Sequence, residues 1–272
     1  MEHIKLFYPG LNDCENYRIP SIINTDKGTL IAAIYARVDR AGDNPNNIDK
    51  YIRRSMDNGE TWEPVQVLVD YPDRGDDGSA ACDPAMVQDK ETGTIWMIFN
   101  HTPAGIGLWN SKPGVGFDKN GYRLLFDPEG NEYTLRENGK VFDSKGQQTD
   151  FLVEENGDVV KDNNVIGNIY LKEGPLLEAR TSFLQAIKSD DDGLTWSKPI
   201  DLNPQVKEEW MGFIGAGPGI GIQITRGKYA GRLVFPIYYN NRQRGHMSCC
   251  VIYSDDHGKT WKRGQSPNDG RK

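Results

Sequence analysis

The sequence predicts an all-β protein assembled from repeated antiparallel sheets, with the four-stranded blades of a propeller as the leading architecture. Three observations carry this prediction. One eight-residue phrase recurs as "SMDNGETW" at 55–62, "SDDDGLTW" at 189–196 and "SDDHGKTW" at 254–261, always S-x-D-x-G-x-T-W. Each copy follows a strand-like run, "YIRRS", "FLQAIKS" or "SCCVIYS". The 272 residues also hold 30 glycines and 12 tyrosines among many short turn clusters, a composition that leans toward β structure. Recurrence of one supersecondary unit is the mark of a repeat array.

Within the phrase each letter has a structural task. The aspartates Asp57, Asp191 and Asp256 can accept hydrogen bonds from backbone N–H groups just ahead of them, as Asx turns do. Gly59, Gly193 and Gly258 supply a positive-φ position that a Cβ would penalise. The β-branched threonine restarts a strand, and the tryptophan anchors the turn on the layer beneath. These phrases therefore build rather than react. Calcium binding by their acidic residues is disfavoured, because the alternating ligands and distal glutamate of an EF-hand are missing.

Spacing then sets the organisation. The second and third copies start 65 residues apart, enough for one blade, whereas the first and second start 134 apart. That interval must hold an unmarked blade, an insertion, or both. Punctuation such as "DPEGN", "ENGK", "DSKG" and "ENGD" marks an inserted β-hairpin region at about 115–175. At roughly 40–60 residues per blade, the remainder supports about four blades.

Composition excludes several classes. Apolar residues make up 37% and charged residues 26%, a soluble globular balance. A net charge of −7 argues against a nucleic-acid partner, and no apolar run is long enough for a membrane span. The opening "MEHIKLFYPG" lacks the apolar segment of a secretory signal. Cys14, Cys82, Cys249 and Cys250 show no zinc-ligand spacing, and the adjacent pair is expected to alternate faces of a strand.

Chemistry is less plainly written. "YRIPSII" and "TLIAAIYAR" read as strands joined by "NTDKG", which puts Arg18 on a strand where it could be a surface charge or an ion-pair partner. Asp39, Asp43 and Asp49 stand as equal candidates for a working carboxylate. An aspartate before Asn-Pro is commonly a turn former.

The R-I-P tripeptide at 18–20 together with the three boxes, and wording such as "IRRSMDNGETW", "IYSDDHGKTW" and "GAGPGIGI", resembles the bacterial sialidase (exo-α-sialidase, neuraminidase) family of the streptococcal type. The resemblance runs along residues 1–272 and matches the N-terminal portion of a catalytic domain. It implies a six-bladed β-propeller, incomplete here with about four blades, and an active site at one end of the axis. It implies that Arg18 is the first of three arginines gripping the sialic-acid carboxylate, and that Arg37 meets the O4 region. Asp43 would be the catalytic acid/base. Asp83 and Cys82 would line the pocket wall, and Tyr238 and Trp210 would flank the glycerol and aglycone sides. For those last two a packing role is an equal alternative.

In such enzymes a tyrosine paired with a glutamate attacks in place of a carboxylate, which would approach the substrate's own carboxylate. The resemblance puts that tyrosine, the glutamate and two further arginines beyond the third box, where only Lys262 to Lys272 remain. The expectation is a sialidase, with possible intramolecular trans-sialidase action, that is inactive as these 272 residues. The alternatives are a non-catalytic sialic-acid-binding propeller and a structural propeller unrelated to sugars. Sialylated glycans are the implied partners, no cofactor or metal is implied, and secretion or a cell-surface location follows only by family analogy.

Overall fold

Three times the chain lays down four antiparallel strands, and three times the S-x-D-x-G-x-T-W phrase joins the third to the fourth. The computed structural model describes residues 3–72, 78–241 and 245–267. Blade 1 consists of β1 (Asn16–Asn24), β2 (Leu30–Arg37), β3 (Ile48–Ser55) and β4 (Gln66–Val69), each antiparallel to the next. Blade 2 begins with β5 (Ala80–Gln88) and β6 (Ile95–Thr102). The chain then leaves for a separate sheet of β7 (Arg123–Phe126), β8 (Glu132–Leu135), β9 (Lys140–Asp143), β10 (Gln148–Val153), β11 (Asp158–Lys161), β12 (Asn164–Asn168) and β13 (Leu177–Glu178). It returns to complete blade 2 with β14 (Phe183–Ser189) and β15 (Ile200–Asp201). Blade 3 follows as β16 (Met211–Ala216), the short β17 (Gly219–Ile220) and β18 (Ile222–Gln223), then β19 (Leu233–Asn241), β20 (His246–Ser254) and β21 (Lys262–Arg263). In it the order is β16-β19-β20-β21, while β17 pairs with β5 of blade 2. The expected count of about four thus resolves, among the described residues, into three box-bearing blades and one inserted sheet. The long first interval holds an insertion within blade 2 rather than an unmarked blade.

Burial explains the strand sequences. From Ile31 to Arg37 every residue of β2 is buried, so "LIAAIYAR" reads as a continuous run covered on both faces. In β19, Leu233, Phe235, Ile237 and Tyr239 turn inward while Val234, Pro236 and Tyr238 turn the other way. Cys249 is exposed and Cys250 buried, the alternation expected for adjacent strand residues. The core lies between blades. Ile31, Ala33 and Ile52 of blade 1 pack on Met86, Met97, Phe99 and Ile187 of blade 2. The other face of blade 2, with Val87, Trp96, Ile98 and Leu184, packs on Ile214, Phe235, Tyr239 and Ile252 of blade 3.

The repeated turns have one geometry. In the second, Asp191 accepts from the Thr195 backbone N–H at 2.8 Å and from its hydroxyl at 2.6 Å, and Ser189 Oγ donates to Asp191 at 2.8 Å. The first and third repeat this through Asp57–Thr61 and Asp256–Thr260. Each later turn also braces the preceding blade. Thr29, in the β1–β2 hairpin, donates to Asp192 at 2.5 Å. Asp89, ending the first strand of blade 2, meets His257 Nδ1 at 2.8 Å. Gly258, at φ +86°, lies so close to Trp96 that an added Cβ would come within 2.3 Å of the indole.

Among the described residues no helix is long and apolar enough to cross a membrane, and no group of three or more His, Cys, Asp or Glu side chains could hold a metal ion.

Two outcomes follow. Gly258→Ala meets both a positive φ and the Trp96 ring, and is expected to cost about 2–4 kcal/mol in thermal or urea unfolding, whereas Gly59→Ala has room and should cost about 1 kcal/mol. The Thr61 and Thr195 hydrogen bonds hold Asp57 and Asp191 down to about 2. Their contribution is complete above the unfolded value of about 4 and is lost as pH falls through about 2. The unfolding midpoint of Thr195→Val should therefore fall less steeply across that window than that of the unmodified protein.

Candidate active site

The boxes lie where β3, β14 and β20 end. The opposite end of the blades, where β1 and β5 begin and β2 ends, collects the polar side chains. It does so through a repeated irregularity. β1 is bulged between Arg18 and Ser21, with Ile19 at φ +55° before Pro20. β5 is bulged between Cys82 and Ala85, with Asp83 at φ +53° before Pro84. A β-branched residue in the left-handed region is a true backbone outlier, and such strain gathers at functional sites. The two bulges occupy equivalent places in successive blades, so R-I-P and C-D-P are versions of one element.

Arg18 lies directly across from Tyr35 on β2, so both project from the same face. The Tyr35 hydroxyl donates to Asp43 Oδ1. Arg37, buried at the end of β2, bridges the two: its Nη2 donates to Tyr35 at 2.9 Å and pairs with Asp43 Oδ2 at 3.0 Å. Asp43 itself keeps 65% of its side chain exposed, so a bound molecule can reach it. Arg18 is exposed and has neither hydrogen bond nor ion pair among the described residues, leaving its guanidinium free for an anion.

On the neighbouring blade Asp83 accepts from the Tyr238 hydroxyl at 3.1 Å, and Tyr238 stacks on Phe213 at 5.7 Å. Between the blades Lys50 is fully buried, its Nζ 5.3 Å from the Tyr35 ring centroid and 6.0 Å from that of Phe99, with no hydrogen-bond partner among the described residues.

These groups share one electrostatic field. Burial pushes the Asp83 carboxyl up, against the pull of Lys50 and the Tyr238 hydrogen bond. Burial draws Lys50 down to about 8, opposed by Cys82 and Asp83. The Cys82 thiol is raised well above its ordinary value by burial and then by Asp83. Burial, then Cys82 and the bond to Asp43, keeps the Tyr35 phenol protonated; burial and Asp83 do the same for Tyr238. Arg37 stands above its ordinary value because Tyr35 and Asp43 outweigh the effect of its burial.

The structure therefore brings Arg18, Arg37, Asp43, Cys82, Asp83 and Tyr238 to one end of the blades. Trp210 comes just before β16, and its ring stands edge-on to Tyr239 at 5.7 Å and packs on the core between blades 2 and 3. Tyr239 and Tyr238 point to opposite faces of β19, so this is the packing role. Of the three aspartates the sequence left equal, Asp49 is buried with its Oδ2 near the Tyr51 hydroxyl, and Asp43 is the one paired to Arg37. Sequence reading missed Tyr35, hidden in an apolar strand, and Lys50, since a lysine in "NIDKYIRRS" carries no sign of burial. The CDP–RIP equivalence was a usable signal for Asp83 without any outside knowledge. What the arrangement offers chemically is a free guanidinium, an accessible carboxylate fixed by a phenol and a second guanidinium, and a half-buried carboxyl group opposite.

Box-bearing four-stranded blades with this cluster at the far end define a β-propeller of the sialidase kind. The chain belongs to the BNR repeat-like domain family, whose description matches residues 19–271. It is 32% identical to the anhydrosialidase of Macrobdella decora over 97% of this chain and 40% of that protein. It is 26% identical to a sialidase of Bacteroides fragilis over 94% of this chain and 36% of that protein. Among solved structures, the intramolecular trans-sialidase from Ruminococcus gnavus, in complex with oseltamivir carboxylate, superposes with a TM-score of 0.84 at 28% identity, over 96% of this chain and 63% of that one. The leech intramolecular trans-sialidase gives 0.85 at 28%, over 97% of this chain and 46% of that one. The chain spans about two fifths of the length of the curated relatives it matches.

Lys50 provides a test of the shared field. Its folded value of about 8 lies below the unfolded value near 10.4, so its buried charge weakens the protein below about pH 8 and ceases to do so as pH rises through that window. Lys50→Met should remove this rise from the stability profile between about pH 8 and 10.4, and should raise the Asp83 titration midpoint followed by carbon-detected NMR.

Proposed function

We propose that this chain carries the sialic-acid-facing part of a sialidase. The observation that carries the reading is the Arg37–Asp43–Tyr35 contact with the unpaired Arg18 on the same face. A planar guanidinium presents two parallel donors to a carboxylate, which suits Arg18 to a sugar acid. Asp43, exposed yet held at both oxygens, is placed to give a proton to a glycosidic oxygen and to take one back from the incoming nucleophile. Asp83, with the Tyr238 phenol, offers a wall able to accept from and donate to sugar hydroxyls or an amide. The sialidase names of the relatives support the reading, and those named as anhydrosialidase or intramolecular trans-sialidase favour transfer within the substrate as a second product route.

Turnover also needs a nucleophile. Among the described residues no tyrosine beside this cluster is hydrogen-bonded to a glutamate: Tyr35 serves Asp43, and Tyr238 serves Asp83. The 272 residues are thus expected to bind sialic acid without cleaving sialosides. Titration with N-acetylneuraminic acid followed by NMR should show saturable binding that Arg18→Ala weakens at least about tenfold, as loss of a charge-assisted pair requires. Binding indifferent to Arg18 would reject the site. Release of a fluorogenic aglycone that Asp43→Asn abolishes would instead show that these residues suffice for catalysis.

A further inference from the structure

The cavity between the inserted sheet and the outer strands of blades 1 and 2 has no part in the chemistry above. Its volume is 710 Å³, within the range of small-molecule sites, and it shares no lining residue with the Asp43–Asp83 cluster. Beneath it a polar network ties the inserted sheet to blade 2. His101 and Glu178 are both fully buried and bonded to each other. Arg123, only 10% exposed, reaches Glu178 on one side and Asp201 at 2.6 Å on the other. The buried Tyr71 hydroxyl donates to Gln185 at 2.6 Å, and the rings of Tyr71, His101 and Tyr170 are in mutual contact. Sinking this many charged and polar groups between two sheets is costly unless each is matched, and here they are matched to one another. The result is a hydrogen-bonded floor.

The walls select the ligand. Asp158 accepts from Asn168 at 3.0 Å and from the exposed Asn156 at 2.7 Å, and Asp70 faces the same space from blade 1. Anions are disfavoured: Asp70, Glu155, Asp158 and Asp201 outnumber Arg123 and Lys198, and both terminal nitrogens of Arg123 are already engaged. This is the reverse of Arg18, whose guanidinium is free. A metal ion is not favoured either, since no described group of side chains meets the requirement. What remains is a neutral molecule rich in hydroxyls. Carboxylates and carboxamides have planar, paired acceptors and donors that engage adjacent hydroxyls, and the half-buried Tyr170 ring offers a surface for C–H groups.

We propose that this junction is a binding site for neutral saccharide units, separate from the sialic-acid cluster and independent of it. Lactose is the probe, with N-acetylneuraminic acid as the anionic control, titrated against the whole chain by saturation-transfer NMR and calorimetry. Saturable lactose binding is expected. The double variant Asp70→Ala/Asn156→Ala, altering two exposed side chains, should weaken it about tenfold while the chain still unfolds in one cooperative transition, and Arg18→Ala should leave it intact. Three results would each overturn the proposal: no saturable lactose binding, lactose binding unaffected by the double variant, or lactose binding lost with Arg18→Ala. The control arm reports on the sialic-acid cluster by itself, so failure of one site is distinguishable from failure of the other.

Discussion

The structure depends on how each blade is clasped to the one before it. A four-stranded antiparallel sheet is half-buried at best when alone, and here each gains its core only by laying a face on its neighbour. The box turns hold that arrangement at one end. Serine, aspartate and threonine close the turn on itself, while the variable fourth letter reaches outward: Asp192 to Thr29 of blade 1, His257 to Asp89 of blade 2. The invariant letters thus make the turn, and a variable one selects the hairpin it meets. Gly193 against Ile31 and Gly258 against Trp96 bring the same turns into the core between blades.

With the blades fixed at that end, the other is free to hold strain and unmatched charge. Ile19 takes a conformation that β-branched residues avoid, and Lys50 carries an amine into a wholly buried place between two aromatic rings. Neither helps the fold in isolation. At that end burial pushes the Asp83 carboxyl up while Lys50 pulls it back, and Asp43 is held in contact with Arg37. The matched turns and the strained, charged cluster are therefore segregated along the blade, each at its own end of the strands.

Much of the scaffold was legible because its signals are local. The box letters dictate their own hydrogen bonds, so Asp57, Asp191 and Asp256 did what their residue types require. Strand alternation likewise forecast the opposite fates of Cys249 and Cys250. Blade number was harder, since hairpin punctuation looks alike in a blade and in an inserted sheet, and only the return of β14 to β6 distinguishes them. At the site, Arg18 and Asp43 were drawn from a resemblance rather than from the residues, because which of Asp39, Asp43 and Asp49 meets Arg37 is decided by how a loop folds back. Lys50 was illegible for a different reason: burial of a charge is set by what packs over it. Trp210 shows the limit in reverse, a large aromatic suited to a ligand wall that the core between blades claims instead.

The paired bulges at Ile19–Pro20 and Asp83–Pro84 have a consequence for how such a protein can change. Duplicating a blade also copies a ready-made bracket that interrupts the ladder at the polar end of the strands. The residue on the bracket can then be exchanged, guanidinium in one copy, thiol and carboxyl in the next, while the hydrogen-bonded rungs on either side stay as they were. New recognition chemistry can arise by swapping the fitting without rebuilding the frame.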